Sequence, residues 1–77
     1  MLRKRGGNGL RVWLKTLRSK RNYSQTVMAD KLEMTRQAYC QIENGQRQND
    51  LPLSLMVKIS DVFNITLDDI KNYELAK

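Results

Sequence analysis

The sequence predicts an all-α protein, five short helices in one small bundle. Two observations predict it. Apolar residues recur at three- and four-residue spacing in successive segments, the period of a helix that buries one face. Between those segments stand residues that start or stop helices, and no stretch shows the apolar–polar alternation of a strand. At 77 residues the chain has room for one domain, near the lower limit for a core that folds without staples.

Residues 1–9, MLRKRGGNG, hold three cations, three glycines and an asparagine, and read as a flexible basic arm. The domain proper is expected over residues 10–73, with 74–77 as a tail. From Leu10 the pattern turns helical: Leu10, Trp13, Leu14 and Leu17 form the apolar stripe, and cations fill the other face. Asn22 tolerates a left-handed backbone and can end this first helix. Ser24 is a good N-cap for a second, with Val27, Met28, Ala29 and Leu32 apolar. Thr35 can cap a third, so helices two and three must be joined by a very tight turn. The third helix, about Arg36–Glu43, stops at Asn44-Gly45. After a polar loop, Asp50 can cap a fourth helix that takes Pro52 in its first turn, where a missing N–H costs little. Leu53, Met56, Ile59 and Phe63 give that helix its buried stripe, and Asn64 ends it. Thr66 opens a short fifth helix, with Asp68 and Asp69 favourably placed against the helix dipole.

Composition narrows the function. Apolar residues make up 40% and charged residues 29%, ordinary for a soluble domain. Apolar runs are too short for a membrane span or a secretory leader, and a single cysteine forms no internal disulfide, so a reducing cytoplasm is the expected compartment. There is no histidine, no pair of carboxylates suited to acid–base work and no phosphate-binding loop, so neither an enzyme, a metal site nor a cofactor is expected. The net charge of +6 is unevenly placed: eight cations and no acid in residues 1–21, balance in 22–47, and −2 in 48–77. That asymmetry points to a polyanion met by the basic side.

A helix, a tight turn and a second helix over residues 24–43 is the arrangement that lays its second helix in the DNA major groove. On the wheel of residues 36–43, Ala38, Tyr39 and Ile42 share one side, and Arg36, Gln37, Cys40 and Gln41 the other. Arg and Gln are the forked side chains that pair bidentately with guanine and adenine.

Residues 14–70 resemble the Cro/cI-type helix-turn-helix domain, the xenobiotic-response-element family of small bacterial and phage regulators. The resemblance rests on Leu17-Arg18, Tyr23-Ser24-Gln25, Met28-Ala29, Leu32, the run from Thr35 to Gly45, and the later apolar slots Leu53, Ile59, Phe63, Ile65, Leu67 and Ile70. Ser24-Gln25, followed 18 residues on by Ile42-Glu43-Asn44-Gly45, is its most specific feature. The resemblance implies a compact lambda-repressor-like five-helix bundle. It further implies base reading by Arg36, Gln37 and Gln41, phosphate contacts from Gln25, Asn44, Gln46 and Arg47, and a partly buried ion pair between Arg18 and Glu43. Glu33 stands where the family usually has glycine, and must either turn left-handed at ~1–2 kcal/mol or force a different turn. The loop after Gly45 is about two residues longer than the common form, and the arm carrying Arg3, Lys4 and Arg5 lies outside the family pattern. Such an arm can reach a neighbouring minor groove.

The expected function is therefore a sequence-specific DNA-binding transcriptional regulator, a repressor acting by occupying its operator. A single helix-turn-helix reads too few base pairs for a genome, so a homodimer on a two-fold symmetric site is expected, its half-sites ~34 Å apart. Ile70, Tyr73 and Leu75 on the fifth helix are the expected dimer surface. The alternatives are an antitoxin with a toxin as protein partner, a restriction–modification controller protein of the same fold, and a protein–protein adaptor that has lost DNA binding.

Overall fold

Left-handed residues and hydroxyl caps divide the chain, and the divisions fall where the local sequence puts them. The computed structural model describes residues 10–45 and 51–76. Among these residues there are five helices and no strand: α1 Val12–Lys20, α2 Gln25–Lys31, α3 Arg36–Asn44, α4 Leu53–Phe63 and α5 Leu67–Ala76. Asn22 at φ 59°, Gly45 at 74° and Asn64 at 56° close α1, α3 and α4. The Ser24 and Thr35 hydroxyls each accept an N–H three residues on, from Val27 and Ala38, at 3.1 Å. Thr66 and Asp69 cap α5 reciprocally: the Thr66 N–H donates to the Asp69 carboxylate at 3.1 Å, and the Asp69 N–H to the Thr66 hydroxyl at 3.0 Å.

The tight turn between α2 and α3 takes the left-handed option at Glu33, with φ 60°. The Glu33 N–H donates to the Asp30 carbonyl and that of Met34 to the Ala29 carbonyl, at 3.1 and 2.9 Å, so the turn satisfies the end of α2 without glycine. A Lys58–Glu33 ion pair at 3.1 Å spans to α4, but both side chains are well exposed, and it offsets at most ~1 kcal/mol of the backbone strain.

The core draws on every helix: Leu14 from α1, Met28 and Ala29 from α2, Tyr39 and Ile42 from α3, Leu55, Ile59 and Phe63 from α4, Ile70 from α5, with Leu32 at the turn. The most extensive helix–helix packing is between α2 and α3, so the tight turn joins two helices that pack directly on each other.

Five expectations need correction. Leu53, placed on the buried stripe of α4, is exposed at the first position of that helix, and Leu55 is buried in the core instead. Pro52 is not in the first turn of α4: it precedes the helix as its N-cap, with an extended ψ of 149° and no side-chain cap; Asp50 lies outside the described residues. Residues 74–76 are no tail, because α5 continues to Ala76 and Glu74 accepts hydrogen bonds from Arg11, the N-cap of α1, and from Trp13 within it. Ile70 is fully buried and cannot belong to a dimer surface, whereas Leu75 is exposed and Tyr73, stacked on Trp13 with ring centroids 5.3 Å apart, keeps an exposed side. Arg11, read as one of the surface cations, is completely buried.

Candidate nucleic-acid interface

The outward side of α3 carries the side chains suited to base edges. Arg36 and Gln37, in its first turn, are exposed, while Gln41, one turn on, is half-buried. Asn44, at the far end of the helix, is exposed. Cys40 departs from its wheel position: it is half-buried and its thiol donates to the Gln25 Oε1 at 3.1 Å. The polar face is therefore narrower than the wheel drew it, running from Arg36 and Gln37 to Asn44. Gln46, Arg47, Arg3, Lys4 and Arg5 lie outside the described residues.

Beneath that face the helix is held by a network centred on Glu43. Its side chain is 3% exposed, and Arg18 grips it with two N–H groups, Nε to Oε2 at 2.9 Å and Nη2 to Oε1 at 3.3 Å. The Tyr39 hydroxyl donates to Oε2 at 2.6 Å and the Gln25 amide to Oε1 at 3.3 Å. Arg18 also donates to the Tyr23 carbonyl at 2.9 Å, tying α1 to the start of α2. The carboxylate thus joins α1, α2 and α3, and a buried charge with this many donors is what makes its burial tolerable. Gln25 is half-buried in this network; an amide has two hydrogens, so donating one to Glu43 leaves it a second donor.

The network sets opposing pKa shifts. Burial alone would push the Glu43 carboxyl up, but the hydrogen bonds from Arg18 and Tyr39 overcome it and the net shift is downward. Burial, then the hydrogen bond to Glu43, drives the Tyr39 phenol well above its usual value. The hydrogen bond to Glu43 raises Arg18 against the desolvation that opposes it. A carboxyl lowered by folding contributes stability above its unfolded pKa, and that stability is lost as pH falls through the folded value; a phenol raised by folding contributes below its unfolded pKa of about 10 and loses it above. Urea midpoints of the wild type should therefore fall below about pH 4.5 and again above about pH 10. Glu43→Gln should flatten the acid limb, and an acid limb unchanged in that variant would contradict the assignment.

Two contributors were missed in the sequence. Arg11 and Glu74 pair at 3.0 Å, Nε to Oε2, and Arg11 also reaches the carbonyl of Ile42 at the end of α3. A signal was present: Arg11 and Arg18 flank Leu14 at helical spacing on the buried stripe of α1, and Glu74 lies one turn beyond Ile70 on that of α5. Among the described residues, no group of three or more potential metal ligands occurs, and no helix is long and apolar enough to cross a membrane.

A family model for the helix-turn-helix matches residues 14–70, and that stretch contains the tight turn, the Glu43 network and the exposed face of α3. The chain belongs to the Cro/cI-type helix-turn-helix family. It is by family a DNA-binding regulator, with α2 and α3 as the helix-turn-helix. No match to this helix-turn-helix chain is found among curated proteins or among solved structures.

Proposed function

We propose that the protein is a sequence-specific repressor that binds a two-fold symmetric operator as a homodimer and acts in the cytoplasm by occupying DNA. The observation that carries this reading is the exposure of Arg36 and Gln37 on the first turn of a helix whose inner side is fixed by a buried network. Bidentate readout requires forked side chains held in register by the rest of the protein, and a helix clamped through Glu43 supplies that register.

Arg36 and Gln37 read base edges in the major groove, with Gln41 deeper on the same helix. Gln25 and Asn44 contact phosphates, joined by Gln46 and Arg47, while Arg3, Lys4 and Arg5 follow the adjacent minor groove. Phosphate contacts place the helix without reading sequence; the specificity resides in α3. Tyr73 and Leu75, both on the outer part of α5, lie at the contact between the two copies. Sedimentation of the protein with a selected operator should give two chains per duplex, and footprinting should show two protected half-sites one helical turn apart. One chain per duplex, or protection of a single half-site, would contradict the dimer.

A further inference from the structure

The chain enters the described domain through a buried arginine that touches three helices. The Arg11 backbone N–H donates to the Glu43 carbonyl at 2.9 Å, and its Nη1 to the Ile42 carbonyl at 2.8 Å. Its Nε and Nη2 donate to the two Glu74 carboxylate oxygens at 3.0 and 3.2 Å. Glu74 also accepts from the Trp13 indole N–H at 2.8 Å, and Trp13 stacks on Tyr73. One guanidinium, completely shielded from solvent, thus joins the start of α1 and the last turns of α3 and α5.

The last turn of a helix presents carbonyls that lack intrahelical partners and carries the negative end of its dipole, so a cation placed there is favoured. Arg11 supplies both at the end of α3: its backbone N–H takes the Glu43 carbonyl and its guanidinium joins the Gly45 N–H on the Ile42 carbonyl, at the turn where Arg18 grips the Glu43 side chain. The Arg11 charge in turn depends on Glu74. We propose that Arg11, with Glu74 opposite it, is a positioning residue for DNA recognition: it fixes α3 from its C-terminal end and makes the last turn of α5 part of the recognition apparatus. The proposal rests on the reading of α3 as the base-reading helix.

Charge alone and positioning predict opposite signs. Glu74→Gln removes a negative charge, which on electrostatics alone tightens binding to a polyanion. Positioning predicts that operator affinity of the folded variant weakens by roughly three- to thirtyfold, the range expected for mutations along a coupled network. Affinity for an unrelated duplex should hold or rise. Folding is checked by circular dichroism at the assay temperature. Should Glu74→Gln fail to fold, Trp13→Phe keeps the ion pair, removes one hydrogen bond to Glu74, and should give a smaller loss in the same direction. A folded variant that binds the operator as tightly as the wild type, or tighter, overturns the proposal.

An independent reading needs no DNA. In Glu74→Gln the backbone amide NMR shifts should move along α3 as far as Arg36 and Gln37; movement confined to Arg11, Ile42 and Glu43 overturns the proposal equally. A wild type with no preference for any duplex would instead remove the base-reading role of α3, and it is measured first, so the two failures are told apart.

Discussion

Replacing Glu43 with alanine should destabilise the domain by ~3–5 kcal/mol, because it leaves the Arg18 charge and the Tyr39 hydroxyl without their buried partner. Small domains have only ~5–15 kcal/mol in total, so much of the variant should be unfolded near body temperature. The loss comes from stranding a charge, and the pair itself is weak grounds for net stability. The double replacement Arg18→Met with Glu43→Leu should therefore be less damaging than Glu43→Ala alone. Urea unfolding of the three variants checks both parts. A loss below ~1 kcal/mol for Glu43→Ala would mean that the network is not held as described.

Arg36→Ala and Gln37→Ala should leave the fold alone and remove recognition. Both side chains are exposed, so each substitution should stay within ~0.5 kcal/mol of wild-type stability. A bidentate pairing with a base edge is worth ~1–3 kcal/mol, and a dimer makes each pairing twice, so operator affinity should drop by roughly thirtyfold to twenty-thousandfold for either residue. Binding to unrelated duplex at low salt should change little for Gln37→Ala, and its salt slope should be that of the wild type. An adaptor that has lost DNA binding predicts something different: the alanine variants keep full activity, and the wild type binds DNA weakly and without regard to sequence.

What is legible in the sequence is local. Ser24 and Thr35 cap because a hydroxyl needs only the N–H three residues on, and Asn22, Gly45 and Asn64 stop helices because their own backbones turn left-handed. Glu33 stays open between two turns, since the local cost of a left-handed glutamate says nothing of the contacts that hold it; the turn hydrogen bonds decide it. What is illegible is long-range. Arg11 looks like one more cation in a basic segment until Glu74, 63 positions away, and the carbonyl of Ile42 are brought to it. Cys40 lies near the outer side of an ideal wheel, yet α2 packs closely enough for Gln25 to cover it. Ile70 reads as dimer surface because an apolar residue on an isolated helix cannot tell its own core from a second chain's. The polar face of α3 is legible because it remains unpacked: Arg36 and Gln37 are exposed in the fold as on the wheel.

Whether α3 reads sequence decides the function. Purified protein mixed with a random duplex library at ~150 mM salt, where purely electrostatic binding is already much weakened, should enrich a two-fold symmetric motif with half-sites one helical turn apart. Its bases should include the guanine and adenine positions that Arg36 and Gln37 read, and those positions should relax in the corresponding alanine variants. A bound pool no different from the starting library would contradict sequence-specific operator binding.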